Sequence, residues 1–182
     1  MKVWELRNGL INETAQLIHS SANELHSGMF DVEGRPLAWR GRPSVEFLME
    51  KRKKKQKPRA DIMTFVPGVL VLNEKAFAAL QDFLSRFGQL LEMSCEGGYV
   101  YFYNVTNLLD CVDAERSEKR SSGSIFKEAF LEDAIPDVPT VFKDSLTART
   151  RIYVNQSAKE SLEKRIADAA LSGAQFVMPG VR

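Results

Sequence analysis

One short construction occurs twice in this sequence and restricts the fold more than any other feature. Val69-Leu70-Val71-Leu72 is a compact apolar run, and Asn73-Glu74-Lys75-Ala76 follows it, with Ala76, Phe77, Leu80, Phe83, Leu84 and Phe87 at helical spacing up to Gly88. The second copy reads Arg151-Ile152-Tyr153-Val154, then Asn155-Gln156-Ser157-Ala158, with Leu162, Ile166 and Ala169 on the apolar face and Gly173 as the stop. A short apolar run between turn signals has the length of a buried strand, and residues three and four apart share one face of a helix. Asn suits the junction because its side-chain oxygen accepts a backbone N–H of the first helical turn. In both copies Ala stands three positions after Asn, and Leu seven. Two similar strand-helix units, packed on a sheet, are therefore predicted.

The remaining segments decide the fold class. Tyr99-Val100-Tyr101-Phe102-Tyr103-Asn104-Val105 is rich in aromatic and β-branched residues and follows Gly97-Gly98, which marks it as a central strand. Ile125-Phe126-Lys127-Glu128 and Val141-Phe142-Lys143 are further apolar segments on either side of prolines. Near the start, Ile11, Ala15, Ile18, Ala22 and Leu25 recur in steps of three and four, which predicts a helix over about 13–26. Gly and Pro punctuate 31–43, and Ser44 is placed to cap a short helix through Val45, Leu48 and Met49. Strands and helices mix without regular βαβα alternation, so the expected class is α+β: a mixed or antiparallel sheet, the two units, and an N-terminal helical region. The expected organisation is residues 1–57 as a helical and loop region ending in a basic segment, and 58–182 as one compact domain.

Charge is distributed unevenly. The chain of 182 residues carries a formal net charge of +1, yet residues 51–59 hold seven cations and no acid, while the flanking segments are mildly acidic. Lys51-Arg52-Lys53-Lys54-Lys55-Gln56-Lys57-Pro58-Arg59 repels itself and belongs in solvent. Three readings stay open for it: a solvated loop, a surface complementary to an acidic protein, or a nucleic-acid site working by counterion release. The last lacks an aromatic residue within 51–59 to stack on bases. Arg52, Lys53, Lys54, Lys55 and Lys57 are the candidate partner-binding residues. Charges in Met1-Lys2-Val3-Trp4-Glu5-Leu6-Arg7 interrupt any signal-peptide core, and no apolar stretch reaches membrane-spanning length, so a cytoplasmic protein without a membrane partner is expected. Cys95 and Cys111 lack paired spacing and suit reduced, buried thiols.

Catalytic signals are sparse. His19 and His26 stand seven apart on the expected helix, roughly 10 Å along its axis, too far to share a metal as an i, i+4 pair does. No serine elbow, Walker loop or dinucleotide glycine motif occurs. Asp110, Asp113 and Glu115 suit either a Mg²⁺ or acid-base cluster or, more simply, a turn or helix start in which carboxylates accept backbone N–H groups. No enzyme, cofactor or metal is expected.

Taken together, Ala60-Asp61-Ile62, Val71-Leu72-Asn73-Glu74-Lys75-Ala76 with Leu80, Tyr101-Phe102-Tyr103-Asn104-Val105, Leu109-Asp110-Cys111-Val112-Asp113-Ala114-Glu115-Arg116-Ser117, Val141-Phe142-Lys143, Ile152-Tyr153-Val154-Asn155-Gln156-Ser157-Ala158 with Leu162, and Gly173-Ala174-Gln175-Phe176 form an ordered series. This series resembles a large family of bacterial immunity proteins, once a domain of unknown function and now the eleventh immunity family of polymorphic toxin systems. The resemblance spans roughly 58–178. The family usually has Val-Ser at Leu72-Asn73 and Val154-Asn155, Arg at Lys143, and often Leu near Val112. Asn for Ser keeps the cap, and Lys for Arg keeps the charge but not the two-pronged fork. The resemblance implies a cytoplasmic protein that binds and neutralises a cognate toxin and has no active site. Contacts with such a partner would fall on exposed segments: 31–43, the basic run and 118–124.

Overall fold

The structure, a computed structural model, describes residues 2–21, 28–48 and 57–180. Its strands are β1 (Val3–Asn8), β2 (Leu17–His19), β3 (Ser44–Phe47), β4 (Ile62–Met63), β5 (Leu70–Leu72), β6 (Gly88–Cys95) and β7 (Gly98–Val105), then β8 (Leu108–Leu109), β9 (Val112–Lys119), β10 (Ile125–Phe130), β11 (Val141–Asp144), β12 (Tyr153–Asn155) and β13 (Ala174–Val177). Two α-helices, α1 (Glu74–Leu84) and α2 (Gln156–Asp168), and a 3-10 turn at Glu132–Ala134 complete the described elements. The class is α+β, with sheets that are mostly antiparallel and contain two parallel pairings, β3 with β6 and β11 with β8.

Two larger sheets share the work. One runs β13-β1-β12-β11-β8 and the other β2-β3-β6-β7-β5-β4, while β9 and β10 form a separate hairpin. Each strand-helix unit belongs to a different sheet, β5-α1 to the second and β12-α2 to the first, so the units do not lie side by side on one sheet. Their caps match each other closely: Ala76 N–H donates to the Asn73 side chain and Ala158 N–H to that of Asn155, both at 2.9 Å. The buried faces of α1 and α2 meet Leu6 and Val154 from one sheet and Leu72 and Tyr103 from the other in a common core. A second core lies on the opposite face of the six-stranded sheet, where Phe102 and Met93 meet Phe30, Leu17 and Phe47. β7 is an interior strand of that sheet, as its composition requires.

Three sequence expectations need correction. Residues 13–21 are not helical: a turn at 11–13 leads into β2, and 22–27 lie outside the described residues. Ala15, Leu17 and His19 are buried while Gln16, Ile18 and Ser20 are less so, a period of two that β2 realises by pairing Leu17 with Phe47 and His19 with Val45. The helical spacing was real but lost to this pairing. For the same reason Ser44–Phe47 is a strand, with Val45 and Phe47 inward and Ser44 and Glu46 outward. The first helix ends at Leu84 instead of running to Gly88, which opens β6. A Cβ on Gly88 would lie 2.2 Å from the Asn104 carbonyl oxygen, so the close β6–β7 approach requires glycine there.

The described part of the first fifty residues is woven into both sheets as strands and is not a helical region. β1 lies between β12 and β13, and β3 joins β2 to β6. Among the described residues, no helix is long and apolar enough to cross a membrane.

Candidate functional site

Residues 28–43 form an irregular segment that buried and half-buried side chains from elsewhere hold in place. Asn104 donates to the Arg35 carbonyl at 2.8 Å, and Gln89 makes paired bonds with Leu37, accepting from its N–H at 2.8 Å and donating to its carbonyl at 3.2 Å. Asn104 also donates to Gln89 at 3.0 Å, joining the two supports. From the other sheet, Lys143 reaches the Val32 carbonyl at 3.4 Å and binds those of Gly68 and Ala148 at 2.8 and 2.6 Å. Glu33 pairs with Arg35 and Arg149. A long loop usually keeps considerable freedom; this one has had its backbone tied from within.

What the loop presents is aromatic and cationic. Trp39 donates its indole N–H to the Met29 carbonyl at 2.7 Å, and its ring packs edge-on to Phe30 and tilted against Phe102 at centroid distances of 5.5 and 5.2 Å. A hollow of about 610 Å³ opens beside it, lined by Met29, Pro36, Leu37, Trp39, Arg40 and Arg42 among others, with no acidic residue in its wall. Arg40 is exposed. Arg42 lies 4.5 Å over the exposed Tyr99 ring and pairs with Glu92. Beyond Tyr99, Arg59 covers the Phe47 ring at 4.1 Å and pairs with Glu96 at 2.5 Å. Tyr99 and Arg59 line a second hollow of about 480 Å³. The surface thus continues from Trp39 across the β6–β7 hairpin to the C-terminal end of the basic run.

The residues expected to carry binding are placed unevenly. Arg52, Lys53, Lys54 and Lys55 lie outside the described residues, whereas Lys57 is half-buried and Pro58 is tied down by the Ala15 N–H donating to its carbonyl at 2.9 Å. Asp110, Asp113 and Glu115 do not converge. Asp110 accepts from the Ser145 hydroxyl at 2.7 Å, and Asp113 accepts the N–H groups of Glu115 and Arg116 at 2.9 and 3.1 Å inside β9, closing a small turn. That turn lies where β9 and β10 slip register, and Ser117 bridges it by donating to the Asp113 carbonyl and accepting from Ala129. His19 is buried against Phe30 and Phe65, its Nδ1 2.8 Å from the Ser21 N–H; His26 lies outside the described residues.

The sequence gives no direct sign of what the most constrained charged groups hold. Asp144 accepts three backbone N–H groups, those of Cys111, Val112 and Leu146, each at 2.8 Å. Its neighbour Lys143 has no exposed surface, and burial pushes the ammonium down to about 8. Both belong to the short apolar strand Val141–Asp144, and that setting is the sequence signal: a charge inside such a run must find buried partners. A second network joins Arg151 to Glu128 at 2.8 Å and to Glu5 at 2.7 Å, with Tyr153 donating to Glu128 at 2.9 Å. Burial raises the Glu5 carboxyl above its ordinary value against the pull of Arg151. Cys95 and Cys111 are free and buried; burial, with the Asp144 charge behind it, pushes the Cys111 thiol up to about 12. Among the described residues, no three His, Cys, Asp or Glu side chains are grouped to hold a metal ion. These groups hold parts of the fold to one another, and the surface around segment 28–43 offers the chemistry of contact: a half-buried indole edge, a phenol and guanidinium groups. No protein-family model and no curated protein matches this chain.

Proposed function

We propose that this protein is an immunity protein: it docks on a cognate toxin in the cytoplasm of the producing cell and neutralises it, catalysing no reaction itself. The observation that carries this reading is the pinned segment 28–43, which presents Trp39, Arg40 and Arg42 beside Tyr99 and Arg59 on a pre-organised support. Trp, Tyr and Arg dominate the energetics of protein interfaces, and a loop ordered before binding loses little entropy on docking. The series of residues behind the family resemblance also supports it. Asp61 accepts from Asn73 and Ser172, Asn104 holds Arg35, Lys143 binds three carbonyls and Asn155 caps α2. Those residues shape the fold, which leaves partner choice to the exposed loop and the basic run.

The partner surface that fits is acidic with an apolar knob, because the rim supplies cations and the hollow beside Trp39 supplies apolar walls. Arg52, Lys53, Lys54, Lys55 and Lys57 remain the proposed source of long-range attraction to an acidic partner. The test is co-expression with the toxin encoded by a neighbouring gene. Wild-type protein should rescue growth and co-purify with the toxin, and a Trp39→Ala, Arg42→Glu double variant with unchanged circular dichroism should do neither. Failure of the wild type to rescue or to form a complex overturns the reading. Salt-dependent binding to an RNA or DNA duplex, lost when Lys53, Lys54 and Lys55 become Gln, would establish the nucleic-acid alternative instead.

A further inference from the structure

Another concavity, with no lining residue from segment 28–43, lies where the five-stranded sheet meets the β9–β10 hairpin. Three arginines from three different parts of the chain line it: Arg7 from β1, Arg120 from the hairpin turn and Arg151 from the connection preceding β12. Its volume is about 310 Å³, and Ser124 and Thr150 are also in its wall. Two carboxylates oppose the arginines, Glu5 in the wall and Glu128 behind it, so a cationic excess remains.

The arginines differ in how they are held. Arg151 is fixed through Nε to Glu128 at 2.8 Å, through one terminal nitrogen to Glu5 at 2.7 Å and through the other to the Phe126 carbonyl at 3.1 Å. A guanidinium carries five N–H groups, so two remain once these bonds are made. Arg7 is braced by Gln175 at 3.2 Å. Arg120 is exposed at the hairpin turn, which the bond from its own N–H to the Ser124 carbonyl closes at 2.9 Å. A fixed guanidinium and an exposed one lining the same small hollow can grip an anion from two sides, and the planar fork matches carboxylate and phosphate oxygens.

The hollow does not end there. Through Glu5, Arg7 and Thr150 it adjoins a larger one of about 480 Å³, whose wall includes Ile11, Val66, Pro67 and Leu70 and holds no charged side chains other than the shared Glu5 and Arg7. We propose that the pair of hollows is a binding site for an oxyanion, a carboxylate or phosphate group, carried on a short uncharged chain. The headgroup lies among Arg7, Arg120 and Arg151, and the chain runs along β1 toward Ile11. No residue of this site belongs to the docking loop 28–43, so the two can succeed or fail separately.

Sodium phosphate, sodium acetate and sodium hexanoate, each balanced against sodium chloride at constant ionic strength, are the probes, with calorimetry and amide NMR shifts of the full chain as readouts. Phosphate and hexanoate should bind saturably, with shifts gathered at β1, residues 120–126 and 150–152. Hexanoate should bind more tightly than acetate. Arg120→Gln, at an exposed position, should weaken both roughly tenfold, the loss expected for charge-assisted hydrogen bonds worth about 1.4 kcal/mol. Lys164→Gln, which removes an equal charge from the exposed face of α2, should change nothing. Binding that fails to saturate, or that both variants weaken alike, overturns the site. Phosphate binding combined with equal affinities for acetate and hexanoate overturns the chain-binding half.

Discussion

Lys143 shows how much one residue can be asked to hold. Its ammonium is the common partner of carbonyls in three separate segments, at Val32, Gly68 and Ala148, and it has no exposed surface. Replacing it with Met keeps the volume and removes the donors, leaving carbonyls that each cost about 1–3 kcal/mol when buried unpaired. Relief of ammonium desolvation returns part of that, so Lys143→Met should lower stability by about 2–4 kcal/mol at pH 7, as read by urea unfolding. The pH dependence has a definite sign. Burial pushes the folded-state value down to about 8 from an ordinary 10.5, so within that window the unfolded chain binds a proton that the folded chain has released. This contribution to stability is therefore lost below the folded value and grows as pH rises from 8 toward 10.5. The gap between wild type and Lys143→Met should widen over the same interval; a constant gap would mean that the amine titrates normally. Arg, which the resembled family usually has here, would add bulk and two more donors to a cage already filled by a single ammonium, so Lys143→Arg should also destabilise.

The two capping asparagines look alike in sequence and differ in structure. Asn73 accepts the Ala76 N–H and donates once, to Asp61 at 2.8 Å, whereas Asn155 accepts from Ala158 and Thr140 and donates to the carbonyls of Pro136 and Val138 at 2.8 and 2.7 Å. Serine can replace the acceptor but not both donors. Asn73→Ser should therefore cost less than about 1 kcal/mol, while Asn155→Ser should cost about 2–3 kcal/mol by leaving a buried carbonyl unpaired. Thermal unfolding of the two single variants checks the ordering. At this scale the sequence was legible wherever one local rule governed: both strand-helix units, the caps, the aromatic strand β7 and the free cysteines were all readable. It misled where periodicity favoured a helix but pairing with a distant strand prevailed, as in Leu17–His19 against Val45–Phe47. The segment 28–43 showed its turn residues and its exposure. Its supports did not show, because Gln89, Asn104 and Lys143 are distant from it in sequence and meet it only through the pairing of strands in both sheets.

At the scale of the whole molecule, the helices make two sheets into one body. Leu6 on β1 and Leu72 on β5 contribute to a single core around α1 and α2, although the first belongs to the five-stranded sheet and the second to the six-stranded sheet. The first strand in the chain is thus held by one of the last elements, an arrangement of long-range contacts that ties folding of each sheet to the other. The chain carries its own reporters of this coupling, since its two tryptophans sit in different cores: Trp4 packs against the shared core with its N–H on Gln156, and Trp39 against Phe30 and Phe102 in the second. Trp4→Phe and Trp39→Phe leave one fluorophore each. If the helices join the sheets as described, both variants should unfold in urea in single transitions whose fluorescence midpoint matches the loss of far-ultraviolet circular dichroism in the same variant. Leu6→Ala, which empties a buried site in β1, should then cost about 2–5 kcal/mol and shift the Trp39 signal as far as the Trp4 signal, although Trp39 is not part of that core. A Trp39 transition left in place by Leu6→Ala would show that the six-stranded sheet stands alone, and would make segment 28–43 independent of β1.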